Sequence, residues 1–184
     1  MQARDTTGTV RTGLQGDLAA AFSEGRVAGV PPPIERVDTH LSHVFLSGDQ
    51  AFKLKRAVRL PFVDFSTVDQ RHAACQAELA INRRLRSPLY VEVSPVVQAA
   101  DGAYRLGGDG GVVDWVIVMR RFDQSYQFDV MARKGALTID LVERAADRIA
   151  DMHLGALVTT LAGHAADYRC VIDVLRQTER EAAE

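Results

Sequence analysis

The sequence predicts an α+β protein: a small antiparallel sheet of about five strands with one helix packed on it, followed by a helical C-terminal segment. Three observations carry this. Residues 38–65, DTHLSHVFLSGDQAFKLKRAVRLPFVDF, read as two strands joined by a tight turn at Ser47-Gly48-Asp49-Gln50. Ser66 or Thr67 can then cap a helix running to about Leu85, before Ser87-Pro88. Finally, VVDWVIVM (112–119) is the most apolar strand, and it breaks abruptly into Arg120-Arg121-Phe122-Asp123, beyond which the pattern turns helical.

Residues 1–13 are polar and expected to fray, and Leu14, Leu18 and Phe22 mark a short helix by their spacing of four. Pro31-Pro32-Pro33 forbids helix, and Ile34 to Val37 leads into the hairpin. With Gly48 and Asp49 as the central turn pair, Leu46 faces Ala51, Phe45 faces Phe52, Val44 faces Lys53 and Ser42 faces Lys55. Side chains alternate across a strand, so Phe45, Phe52 and Leu54 share one face. Ser42, Val44, Leu46 and Ala51 share the other with Lys53 and Lys55. Such a small apolar surface with cations at one end suits a flat base beside phosphates, and it equally suits half-buried sheet.

The helix after the hairpin carries an apolar stripe of Ala74, Cys75, Ala77, Ile81 and Leu85, with Glu78 in or beside it. Burying an unpaired carboxylate costs several kcal/mol, on the order of a lost core side chain, so Glu78 either takes a cation, Lys53 or Lys55, or reaches solvent at the stripe's edge. Tyr90 to Val97 alternates as a strand, with Pro95 marking an edge or a bulge. Tyr104 to Leu106 returns after the turn at Ala100-Asp101-Gly102, and glycines at 107–111 make a loop. Helices are expected from Phe128 to Lys134, stopped by Gly135, and from Thr138 onward with Leu141, Val142, Ala145, Ile149, Met152 and His153 as its stripe. A last helix is expected from about Ala165.

Composition excludes more than it selects. The 184 residues suffice for one domain or one and a half, with 47% apolar and 25% charged residues typical of a soluble globular chain. A net charge of −2 offers no footprint for nucleic acid or an anionic membrane. No secretory signal or spanning run is visible, and Cys75 and Cys170 lie far apart, so reduced thiols and a cytoplasmic location are expected. There is no G-x-x-x-x-G-K and no G-x-S-x-G. His40, His43 and His153 lack the spacing of a zinc site, and Arg83-Arg84 and Arg120-Arg121 read as solvated surface.

The order of hairpin, helix, further strands, apolar strand, polar hinge and helices resembles the small lobe of the protein-kinase-like fold, with a lysine on the hairpin's second strand and a glutamate in the next helix. More narrowly it resembles the aminoglycoside phosphotransferase group, in a bacterial branch often fused to a separate P-loop ATPase domain. THLSHVFLSGDQAFKLKRAVRLPFVDFST, RHAACQAELAINRRL, VVDWVIVMRRF and RIADMH carry the resemblance over about residues 38–153, the first block most specifically. It implies three parts: residues 1–33 as tail and short helix, 34–122 as the small lobe, and 123–184 as a partial helical large lobe.

The resemblance implies site residues too. Ala51-Phe52-Lys53 matches the family's small residue two positions before the phosphate lysine, making Lys53 the first choice and Lys55 the second. Glu78 would hold that lysine. Val44 and Ala51 would roof an adenine, and the backbone of Arg120 to Phe122, just after Met119, would read its edge. The turn from Thr39 to Ser42 takes the place of the glycine-rich loop, with hydroxyl and N–H donors. ATP and Mg2+ are the implied cofactors, the metal's ligands lying outside this chain. The family's H-G-D-x-H-x-x-N block is not among these residues; His164-Ala165-Ala166-Asp167 echoes only its histidine and aspartate. The expectation is therefore an ATP-binding portion cut before the catalytic loop and inactive alone. It would be partnered by the missing lobe or a fused P-loop domain. The alternative is a non-enzymatic remnant or interaction module.

Overall fold

The computed structural model describes residues 12–156 and Arg176. Its described residues contain four α-helices: α1 (Thr12–Ser23), α2 (Val68–Arg84), α3 (Phe128–Arg133) and α4 (Ile139–Leu154). The strands are β1 (Val27–Ala28), β2 (Ile34–Asp38), β3 (Ser42–Ser47), β4 (Gln50–Lys55), β5 (Arg59–Leu60), β6 (Val63–Asp64), β7 (Tyr90–Gln98), β8 (Tyr104–Leu106) and β9 (Gly111–Arg120). The described residues through Arg121, with Arg176, belong to one compact unit, and residues 122–156 belong to a second. The protein is thus mixed α+β, as its sequence predicts. No helix among the described residues is long and apolar enough to cross a membrane.

The hairpin closes in the register its sequence predicts: Leu46 opposite Ala51, Phe45 opposite Phe52, Val44 opposite Lys53 and Ser42 opposite Lys55. Gly48 takes φ 55°, a conformation that side-chain-bearing residues adopt at a cost. The sheet is larger than expected, with seven strands in the order β1-β8-β7-β9-β4-β3-β2. Every pairing is antiparallel except β1 with β8. The two extra strands escape pattern reading for different reasons. β1 is two residues long, and β2 is an edge strand with four exposed residues of five, so it shows little apolar alternation. Pro95 lies in β7, which pairs on both sides, beside a register shift at Val96/Val97; of edge and bulge, it marks the bulge.

Alternation then assigns the two faces of this sheet. Phe45, Phe52, Leu54, Val96, Val116 and Val118 form a core with Leu18, Ala19, Ala21 and Phe22 of α1. Phe22 stacks on Phe45 with ring centroids 4.6 Å apart. Each large side chain sealed here contributes about 1.5–3 kcal/mol. α1 is therefore a layer of the first unit. α2 covers the opposite face.

α2 begins where Thr67 caps it. The Thr67 side chain accepts from the Gln70 N–H while the Gln70 side chain accepts from the Thr67 N–H, a reciprocal capping box. Its buried face differs from the expected stripe. Arg71, Cys75 and Leu79 are buried, whereas Ala77 and Ile81 are exposed, Ile81 at 54%. The helix is rotated relative to its apolar pattern because two polar residues on it, Arg71 and Glu78, find partners on the sheet. α4 is capped by Thr138 as expected, yet Val142, Ile149 and Met152 of its stripe are exposed among the described residues. The last expected helix and His164 to Asp167 lie outside the described residues.

Candidate functional site

Three titratable side chains that the sequence singles out meet on the α2-covered face. Lys53 and Lys55 sit two apart on β4, so both project from one face. Glu78 descends from the third turn of α2 between them. Lys53 Nζ donates to Glu78 Oε1 at 2.7 Å, and Lys55 Nζ donates to Oε2 at 2.7 Å. These are short, charge-assisted bonds. Glu78 thus takes both candidate cations rather than one, and it does not escape to solvent.

A fourth group completes the centre, and the sequence did not single it out. The Tyr90 hydroxyl, at the start of β7, donates to Glu78 Oε1 at 3.0 Å. Its aromatic–polar alternation marks a strand, and nothing local reveals where the phenol ends. Burial, and then the neighbouring Glu78 charge and its hydrogen bond, push Tyr90 up to about 12, so the phenol remains a donor. For Glu78 itself, burial raises the carboxyl. The hydrogen bonds from Lys53 and Lys55, with their charges, outweigh it and hold the group below its ordinary value.

The two lysines are not equivalent. Lys55 is 7% exposed and Lys53 25%. The Lys55 ammonium also lies 5.1 Å from the centroid of the Phe65 ring, a cation–π contact that closes it in. Cys75, one turn before Glu78, is buried, and desolvation pushes its thiol up to about 11. Sealed from solvent and held as a thiol, it is an inert side chain.

The remaining predicted residues are arranged around this centre. Lys53 is flanked across the sheet by Val44 on β3 and Ile117 on β9. Ala51, two positions earlier on the same face, is flanked by Leu46 and Met119. Ser42 is buried opposite Lys55. Its N–H donates to Thr39 Oγ1, and the Thr39 hydroxyl and N–H both donate to the Ser42 carbonyl. Those three donors, expected to be free in the turn, are engaged with one another. The Arg120 N–H donates to the Leu89 carbonyl and the Arg121 N–H to Asp49, so neither is spare for a ligand's edge. Phe122 opens the second unit and is exposed.

A buried polar network lies at the far end of β9. Arg71 Nε reaches both Asp114 oxygens, at 2.9 and 3.1 Å, and its Nη1 donates to the Phe65 carbonyl. Gln15 of α1 donates to Asp114 Oδ2 at 3.0 Å and to the Lys55 carbonyl at 2.8 Å. A charged residue inside VVDWVIVM was the signal for this, since a carboxylate in an apolar strand needs a buried partner. A pocket of about 200 Å³, lined by Leu14, Gln15, Leu18, Val112, Val113 and Asp114, adjoins this network. It lies away from Lys53, and its polar groups are already bonded. Trp115 stacks on His72 with ring centroids 3.7 Å apart. Among the described residues no three or more His, Cys, Asp or Glu side chains gather as metal ligands.

Over 121 residues the chain is 35% identical to an uncharacterized protein of Mycobacterium tuberculosis and to one of Mycobacterium bovis, the match covering 66% of this chain. It covers 22% of each relative, so the chain spans about a fifth of the length of the curated proteins it matches. No family model and no solved structure matches.

Proposed function

We propose that the chain is the nucleotide-binding portion of an aminoglycoside-phosphotransferase-like small-molecule kinase, with its sheet and α2 acting as a protein-kinase-like small lobe. The observation that carries this is the Lys53–Glu78 ion pair joining β4 to the helix that follows it. In protein kinases a lysine on the third strand pairs with a glutamate on the next helix to hold the α- and β-phosphates. Here the lysine strand is likewise the third of the antiparallel run β2-β3-β4. Val44 and Ala51 line the same face, small enough for an adenine to lie against them, beside Met119.

ATP phosphates would meet Lys53, with Lys55 behind it. The adenine edge would be read by carbonyl oxygens near Arg120, because the Arg120 and Arg121 N–H groups are taken. Bound Mg2+ would supply charge neutralisation on the phosphates, held by acidic residues outside this chain. The family's catalytic aspartate and asparagine block is not among the 184 residues, so transfer to an acceptor hydroxyl would draw on a further lobe or a fused P-loop domain. A second reading is a non-enzymatic interaction module that keeps the lobe.

Calorimetric titration with Mg-ATP tests the proposal, run on the wild type beside Lys53→Ala and Lys55→Ala. The expected result is saturable binding, lost in Lys53→Ala. A folded wild-type chain that gives no heat sinks the nucleotide reading and favours the module.

A further inference from the structure

Glu78 carries one negative charge, and two lysines are bonded to it. Lys53 Nζ holds Oε1 and Lys55 Nζ holds Oε2, each at 2.7 Å. The Tyr90 hydroxyl on Oε1 stays protonated, its ionisation pushed up to about 12, and adds no charge. Asp114, buried in the same unit, is already paired with Arg71. The centre therefore carries one unit of net positive charge, where a plain lysine–glutamate pair carries none. The two cations differ in access. Lys55 is 7% exposed, with the Phe65 ring centroid 5.1 Å from its ammonium, and is too enclosed for a phosphate to reach. Lys53 is 25% exposed. An ammonium has three N–H donors, and one of them on Oε1 leaves two for a second acceptor.

We propose that Lys55 is a positioning residue that cancels the Glu78 charge from the sealed side, so that Lys53 meets a phosphate as an uncompensated cation while it stays bonded to Glu78. In a two-member pair, the carboxylate that orients the lysine also cancels much of the field the lysine offers an anion. Here the two tasks are divided: Glu78 orients Lys53, and Lys55 restores the charge. Both bonds to Glu78 persist when phosphate arrives. Partial burial keeps the field strong, because solvent screens it less than at the surface. Tyr90 adds a bond to the carboxylate without adding charge, so it separates the effect of charge from that of orientation. The inference rests on the nucleotide reading above and assigns the electrostatics of its phosphate end.

The test is NMR-monitored titration of the full chain with Mg-ATP, adenosine and inorganic tripolyphosphate, in wild type, Lys55→Met, Lys55→Arg and Tyr90→Phe. Lys53 stays in place in every variant. Lys55→Met should bind Mg-ATP and tripolyphosphate on the order of tenfold more weakly, and adenosine as the wild type does. Lys55→Arg keeps the charge and should recover most of the loss. Tyr90→Phe removes a hydrogen bond but no charge, and should leave all three affinities close to those of the wild type. Equal weakening toward adenosine in Lys55→Met would overturn the proposal, because Lys55 would then merely shape the site. So would a Tyr90→Phe loss as large as that of Lys55→Met, or an unchanged phosphate affinity in Lys55→Met. Should Lys55→Met not fold, Lys55→Gln carries the same comparison, keeping a donor side chain without the charge. A wild type that binds tripolyphosphate but no Mg-ATP overturns the nucleotide reading alone, and the charge assignment is then decided on tripolyphosphate. A wild type that binds neither overturns both.

Discussion

Arg71 and Asp114 lie 43 residues apart in sequence and form an ion pair at 2.9 Å with both side chains sealed from solvent. The pair ties the first turn of α2 to the central strand β9, and Gln15 extends it to α1 on the opposite face. Three layers of the first unit therefore converge on one carboxylate. Arg71 sits two turns before Glu78 on α2, so the pair also sets the depth at which Glu78 meets the lysines.

Breaking this pair from one side should be costly. Arg71→Met leaves Asp114 charged and buried, and Asp114→Leu leaves Arg71 so. Each should lose about 3–5 kcal/mol in urea denaturation. The double variant should lose clearly less than the sum, because no buried charge is left alone. Additive losses would show that the two residues act independently.

Acid should weaken the fold through Glu78. Its folded value lies below the ordinary 4.5, so its contribution to stability is fully present above that pH. The contribution drains as pH falls through the folded value. Glu78→Gln should therefore flatten the acid limb of the stability–pH curve measured by urea titration between about pH 5 and 2. An unchanged acid limb would assign the loss to other carboxylates, Asp38 first among them. Hydrogen bonds from Arg36 and then His43 hold Asp38 at about 2.

The start of α2 depends on a reciprocal cap. Thr67→Ala removes the acceptor for the Gln70 N–H and should cost about 1 kcal/mol, read as a lower urea midpoint with an unchanged slope. Thr67→Ser keeps the hydroxyl and should stay close to wild type.

Cys75 should be silent toward Ellman's reagent in the native state. Burial pushes its thiol up to about 11, leaving almost no thiolate at neutral pH and no access to it. In a Cys170→Ser background the remaining thiol should react only as urea unfolds the chain. Rapid native labelling would mean that α2 opens locally from the sheet.

The parts of the structure that were legible in the sequence are those set by neighbours along the chain. Gly48 in a two-residue turn specified the whole β3–β4 register, and with it the faces of Phe52, Lys53 and Lys55. Thr67 and Thr138 announced two helix starts. Glu78 was visible as a carboxylate in want of a cation, and Lys53 and Lys55 were both named as candidates. The pattern misled on α2. Ala77 and Ile81 look like stripe residues, yet the helix buries Arg71 and Leu79. Apolar periodicity assumes that polar side chains face water, and here two of them are drawn inward by opposite charges.

The sequence by itself determined an α+β chain, the hairpin and its register, the helix caps and a carboxylate poised near two lysines. Each follows from a backbone conformation or a period that a few consecutive residues impose. Only the tertiary structure decided that Glu78 takes both lysines, that Tyr90 shares its oxygen, and that Gln15, Arg71 and Asp114 form one buried network. Those contacts join residues 12 to 99 positions apart. They exist because the strand order brings β4, β7 and β9 side by side between α1 and α2, and no local stretch of sequence encodes which strands become neighbours.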